Sequence, residues 1–354
     1  MPTARLSGRV AGKKDPSRKA RAKLLYRLFE AGWDIYNGNG DQVITLGNIQ
    51  QKIIESDAFV FTPGAALEDM FQAASIFVGH QTNDKDLLGK PAVIQNSDNS
   101  WDVFSALIDH LHKAGTVKQE ARTFFDVVAG PKEVIRVLER GYEEKPHTPH
   151  SEPDIFEVQH GEVVHKPGIS RPSFSVCVFC SASISKEDYL REGFDLGRAL
   201  AEEGWGCISG AGKTGTMGQV VAGCASRGGW SAGSNVPHII AMEGLPDGLA
   251  EFWPRADIYT RMEVMIARSH AFVIMPGGLG TVQEVLALVL LKAQKHELME
   301  GKPIVIVNRE IGGGMQGRFW DPLISMLEHH GALGECIVVA SAGDAIPAIR
   351  KVIK

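Results

Sequence analysis

Two glycine-rich segments hold the residues best suited to chemistry in this chain. The first, Gly210-Ala211-Gly212-Lys213-Thr214-Gly215-Thr216-Met217-Gly218, follows a short β-branched run and precedes a helix-period segment. Glycines let backbone N–H groups approach a phosphate at a helix N-terminus, so Gly210, Gly212, Lys213, Thr214 and Gly215 read as phosphate-binding positions. The spacing suits a dinucleotide, but the next strand, Trp230 to Asn235, offers no acid for the ribose hydroxyls of a nicotinamide cofactor. A Walker loop fails too, because Cys207 stands where its first glycine is required. What remains is a phosphate turn with no specified nucleotide, or a plain tight turn between strand and helix.

The second segment, Pro276-Gly277-Gly278-Leu279-Gly280-Thr281-Val282-Gln283-Glu284, again joins a strand-like run to a helix. Its glycines expose N–H donors, Thr281 adds a hydroxyl, and the helix dipole favours an anion there. Two readings of Glu284 stay open. It is an acid placed one turn into a helix beside an anion site, or the far half of a Thr281-x-x-Glu284 capping box.

Positioning such turns takes alternating strands and helices. The C-terminal half supplies them: strand-like Ser175 to Phe179, Gly206 to Ser209, Ala271 to Met275 and Pro303 to Val307 alternate with helix-period Tyr189 to Glu203, Met217 to Arg227, Val282 to Gln294 and Trp320 to His329. That alternation predicts α/β units with a parallel sheet covered by helices. The N-terminal half repeats it. Glu55 to Gly64 resembles Arg268 to Gly277, Gly89 to Asn96 resembles Gly301 to Asn308, and each copy continues to a Trp-Asp pair, Trp101-Asp102 and Trp320-Asp321. Ala31 to Gly40 echoes Glu203 to Gly212, yet the N-terminal copy is about forty residues shorter before its Ser-x-Ala-Phe strand. It reads as a contracted copy lacking an internal strand-helix portion. After Pro63-Gly64 it has Ala65, Ala66 and Leu67, and ungapped counting puts Phe71 in the place of Glu284, with Glu68 the nearby acid.

Composition bounds the rest. The chain of 354 residues carries 37 Lys and Arg against 42 Asp and Glu, a net charge of −5, which excludes a generally basic nucleic-acid coat. Apolar runs such as Val285 to Leu291 are too short to span a membrane. Five cysteines form no disulfide framework and fit a reducing cytoplasm. Cys177 and Cys180 make a C-x-x-C with no partner pair at metal-binding spacing, so no metal is expected, and both read as buried free thiols. Residues 1–24 are rich in Lys and Arg and read as a solvated basic tail leading into a helix. The Pro-rich polar stretch 141–172 reads as a linker.

The glycine turn, the P-G-G-x-G-T-x-x-E segment and the start Val176 to Ser183 together resemble, in order, the LOG (Lonely Guy) family of cytosolic phosphoribohydrolases, often mislabelled lysine decarboxylases. The likeness covers roughly Phe174 to Lys354. It implies a Rossmann-like domain over 173–354, a degenerate Rossmann-like lobe over 25–140 that serves as a packing partner, and homodimers or higher homo-oligomers. It also implies hydrolysis of the N-glycosidic bond of nucleoside 5′-monophosphates to free base and ribose 5-phosphate, with no cofactor. On that likeness Arg261 and Glu284 are catalytic. Gly277, Gly278, Gly280 and Thr281 cradle phosphate, Ser181 lies in the substrate-binding set, and Glu243 falls near a ribose-binding acid. A carboxylate at Glu284 would stabilise oxocarbenium charge and orient water, while Arg261 would clamp phosphate or ribose oxygens. Arg261 has a plainer alternative, a surface ion pair with Glu263 or Asp257. The chain departs from the pattern at Ala211, where many members have glycine, and at Met262, where they have lysine. The rival function is a non-catalytic nucleotide or molybdenum-cofactor carrier on the same fold. Lysine decarboxylation is disfavoured, because pyridoxal chemistry needs a Schiff-base lysine and a phosphate cup in one site.

Overall fold

The computed structural model of the chain describes residues 2–7, 15, 17–37, 46, 49–87, 89–117, 125–143, 164–165, 168–312 and 315–353. Its contacts divide it into two units, Met1–His110 with Lys118–Ile155, and Leu111–Val117 with Phe156–Lys354.

The first unit runs β1 (Thr3–Leu6), α1 (Arg18–Glu30), β2 (Asp34–Asn37), α2 (Ile49–Ile54), β3 (Ala58–Phe61), α3 (Leu67–Gln81), β4 (Ala92–Gln95), α4 (Asp102–Lys113), β5 (Asp126–Val128) and α5 (Pro131–Glu143). Its strands form one parallel sheet in the order β2-β1-β3-β4-β5. Ala4, Leu6, Ala58, Val60 and Val93 on one face pack with Leu24 and Leu28 of α1 and with Val134 and Leu138 of α5. Residues 3–6 fell within the expected basic tail. Instead they are an inner strand, because Ala4 and Leu6 are fully buried between β2 and β3.

The second unit runs β6 (Val164–His165), β7 (Ser175–Phe179), α6 (Glu187–Glu202), β8 (Gly206–Ser209), α7 (Gly215–Ala225), β9 (Ser231–Asn235), α8 (Pro237–Glu243), β10 (Glu251–Pro254), α9 (Ile258–Ala267), β11 (Ala271–Ile274) and α10 (Leu279–Ala293). It continues through β12 (Ile304–Val307), a hairpin of β13 (Glu310–Gly312) and β14 (Met315–Arg318), α11 (Asp321–His329), β15 (Ile337–Val339) and α12 (Ala345–Val352). Eight strands lie in the order β15-β12-β11-β7-β8-β9-β10-β6, parallel except for β6, which pairs antiparallel with β10. Residues 164–165, expected in the linker, therefore extend this sheet, while 144–163 and 166–167 lie outside the described residues. The β-branched strand residues Val176, Val178, Val273, Val305 and Val307 build a core with Leu196, Leu200, Val220 and Ile349 from the covering helices. Helices α6 and α7 pack backbone to backbone, since a Cβ on Gly197 would strike the Val220 carbonyl and one on Gly223 the Phe194 carbonyl.

Both sheets are α/β and Rossmann-like, and the repeat is visible in their order. The sequence β5-β4-β3-β1-β2 matches β15-β12-β11-β7-β8, and only the second sheet continues into β9 and β10. Even a polar clasp recurs. Asn96 Nδ2 donates to Asp102 at 2.7 Å and its Oδ1 accepts from Trp101 N, just as Asn308 Nδ2 donates to Asp321 at 2.9 Å and its Oδ1 accepts from Trp320 N. The glycine echo at residues 38–40 lies outside the described residues. Among the described residues, no helix is long and apolar enough to cross a membrane.

Candidate active site

In the second unit the strand order reverses between β7 and β11, and ligands of open parallel sheets sit at the carboxyl ends of strands beside such a reversal. The turns after β7, β8 and β11 all end there.

The turn after β8 is held by its neighbours. Thr214 Oγ1 donates to the Ala182 carbonyl at 2.8 Å, Met217 N donates to the Ser181 carbonyl at 3.1 Å, and Gly212 N meets Met217 Sδ at 3.0 Å. Ala211 adopts φ 58°, a left-handed conformation that costs an L-residue about 1–2 kcal/mol and a glycine nothing, so the departure from glycine falls on a strained position. The Ser181 hydroxyl is turned toward Ser183, with oxygens 2.9 Å apart. Lys213 is half-exposed, its Nζ 3.7 Å from Asp247.

Arg261 reaches this turn from α9, whose start is fixed by Asp257 accepting from Tyr259 N and Thr260 N at 2.9 Å each. Its Nε donates to the Ser234 carbonyl at 2.9 Å and its Nη2 to the Gly210 carbonyl at 3.3 Å. The guanidinium therefore bridges the carboxyl ends of β8 and β9. Asp257, one of its alternative ion-pair partners, spends its carboxylate on capping α9 instead. Gly210 is bare for a steric reason: a Cβ there would collide with Arg261 Nη2. Likewise a Cβ on Gly212 would lie 2.5 Å from Glu243 Oε2, which places that acid, the last residue of α8, against the same turn.

The turn after β11 contributes a row of open amides. Among the described residues, the N–H groups of Gly277, Gly278, Leu279, Gly280 and Thr281 meet no protein acceptor. These are the orphan donors of a helix start, on the positive end of its dipole. Gly277 packs directly on the Thr281 side chain, leaving no room for a Cβ.

Glu284 lies in α10 and is 7% exposed. The capping-box reading is overturned: α10 starts at Leu279 with Gly278 as N-cap, so Glu284 is its sixth residue, whereas a capping acid occupies the third. Burial pushes its carboxyl up to about 8; Arg261 pulls it back and Glu243 pushes it further. Glu243 is also raised by burial and lowered by Arg261. Cys177 on β7 and Cys180 in the turn just after it, both free thiols, feel the Glu284 charge, and burial raises both well above the ordinary thiol range, so they stay neutral. Arg261, Glu243 and Glu284 are thus one electrostatic cluster beside an unpaired row of amides. The ungapped match of Phe71 to Glu284 also needs correcting. The turn after β3 has one residue more, and counting from the first helical residue puts Gln72 at the sixth place.

Sequence reasoning missed two supports, Ser234 and Met217. Ser234 acts through its main chain, which no side-chain motif marks; Met217, two residues past Gly215, looked like one apolar helix residue among several.

Residues 217–347 match a family described as possible lysine decarboxylase. A cytokinin riboside 5′-monophosphate phosphoribohydrolase of Mycobacterium tuberculosis is 33% identical over 112 residues, 31% of this chain and 59% of that protein. One from Rhodococcoides fascians is 29% identical over 188 residues, 50% of this chain and 89% of that one. The chain spans about three fifths of the length of the first of these relatives. Among solved structures, a molybdenum cofactor binding protein from Rippkaea orientalis is similar at 21% identity and TM-score 0.40, covering 53% of this chain and all of that one. Likeness at that level speaks to neither ligand nor activity.

Proposed function

Starting from a second unit that matches the lysine-decarboxylase-like LOG family, we propose that this protein hydrolyses the N-glycosidic bond of nucleoside 5′-monophosphates to free base and ribose 5-phosphate. The observation that carries the reading is Arg261 bridging two strand ends within the charge field of Glu243 and Glu284, beside five amides that meet no acceptor among the described residues. The amides and helix dipole suit a 5′-phosphate. Cleaving a ribosyl C–N bond develops positive charge at the anomeric carbon, and a fixed guanidinium holding the sugar and acids facing that carbon are the groups such chemistry uses. The activity for which those relatives are named supports the same reaction class. Incubation with AMP, GMP, CMP and UMP is expected to release free base from at least one. Absence of base from all four, with the folded protein still stabilised by them, contradicts the proposal.

A further inference from the structure

The cluster holds two acids and, among the described residues, one cation that faces them, and that cation is already engaged. Arg261 spends Nε and Nη2 on the carbonyls of Ser234 and Gly210. The acids are also unequally placed. Glu284 is buried in α10, where its charge reaches the thiols of Cys177 and Cys180, whereas Glu243 ends α8 and is only part-buried, beside Gly212. Two carboxylates around one shared guanidinium keep a proton between them, and it rests on the more desolvated group.

We propose that the two acids divide the reaction, Glu284 delivering a proton to the departing base and Glu243 accepting one from the attacking water. This rests on the hydrolase reading above and deepens it. As the bond from the anomeric carbon breaks, its electron pair goes to the base, and a base ring nitrogen takes the Glu284 proton. Water oxygen bonds to the anomeric carbon and gives its proton to Glu243. Solvent then returns a proton to Glu284 and removes one from Glu243, so one water is consumed and nothing else changes. Among the described residues, the charged groups facing Glu284 are Arg261 from α9 and Glu243 from α8, with the neutral thiols of Cys177 on β7 and Cys180 after it. Binding a phosphate dianion on the nearby amides adds negative charge and holds the proton more firmly.

The test pairs GMP with 7-methylguanosine 5′-monophosphate, whose base already carries a positive charge and departs without a proton. Glu284→Gln is expected to lose at least about 100-fold in kcat/KM on GMP and only a few-fold on the methylated nucleotide, while Glu243→Gln loses heavily on both. Equal losses by Glu284→Gln on the two substrates overturn the division of labour. A wild-type protein that releases base from none of AMP, GMP, CMP, UMP and the methylated nucleotide overturns the hydrolase reading instead, which separates the two failures. Wild-type protein supplies a second readout that needs no variant: kcat/KM on GMP falls as pH rises through about 8 if Glu284 acts as an acid, and rises there if it acts as a carboxylate.

Discussion

The turns after β3 and β11 start from the same strand, Ala-Phe-Val, and the same Pro-Gly, yet their backbone donors meet opposite fates. After β3, Gly64 N donates to Asp98 Oδ2 at 2.7 Å and Ser100 Oγ at 3.0 Å, Ala65 N donates to Ser100 Oγ, and Ala66 N donates to Asp69 Oδ2 at 2.8 Å. The first unit satisfies its helix start with its own carboxylates. In the second unit the hairpin β13–β14 replaces the short loop that carries Asp98 and Ser100, and residues 277–281 keep their donors open. Arginine placement differs as well. Buried Arg21 of α1 donates to the Ser7 carbonyl at 2.7 Å and Thr62 Oγ1 at 2.9 Å, whereas Arg261 comes from α9 and acts electrostatically on Glu243 of α8. Losing β9, β10 and their helices removes the acid and the arginine at once. The lesson is that one strand and turn sequence can close its helix start with its own carboxylates or leave the same donors free for an outside anion.

The comparison breaks most visibly at Arg261. Arg261→Ala should cut turnover by about 100-fold or more while leaving the fold intact, since among the described residues its guanidinium hydrogen-bonds two carbonyls and no side chain; unchanged turnover would remove it from the chemistry. Next in size, adding a carboxylate to the first unit should not transfer function. The double variant Gln72→Glu, Glu284→Gln is expected to be as inactive as Glu284→Gln alone, and rescue would show that the first unit retains a working site. Gly277→Ala drives a methyl into Thr281 and should raise KM for the nucleotide about tenfold; an unchanged KM would argue against phosphate at this turn.

Two smaller effects concern stability. Glu284 is neutral when folded up to about pH 8 but ionises near 4.5 when unfolded, so the folded state holds the extra proton. Its stabilising contribution is full below 4.5 and is lost as pH rises toward 8; Asp69 behaves alike between 3.8 and about 6. Urea midpoints should fall from pH 5 to pH 8, and Glu284→Gln should flatten that slope. Asp98→Ala leaves Gly64 N without its shortest acceptor and should cost about 0.5–1.5 kcal/mol in a urea titration, since the group is exposed and Ser100 Oγ remains, with turnover unaffected.

Much of this frame was legible in the sequence, because β-branched runs alternating with helix periods mark parallel strands and because the repeat aligned residue by residue. The forty-residue contraction corresponds to the missing β9 and β10. Other features were not legible for definite physical reasons. Thr3–Leu6 is four residues long among basic neighbours, and only pairing with β2 and β3 makes it a strand. Thr281 has the residue type of an N-cap, yet Gly278 starts the helix three residues earlier, and that moves Glu284 from a cap into the buried cluster. The grip of Arg261 on Ser234 and Gly210 uses carbonyls, which every residue possesses.

The most direct measurement is a crystal structure of the protein soaked with a nucleoside 5′-monophosphate under conditions that block turnover. Phosphate is expected on the amides of residues 277–281, with the anomeric carbon facing Glu284 and Arg261 and the turn at Gly64 unoccupied. Phosphate bound at Gly64, or a sugar remote from Arg261, would contradict it.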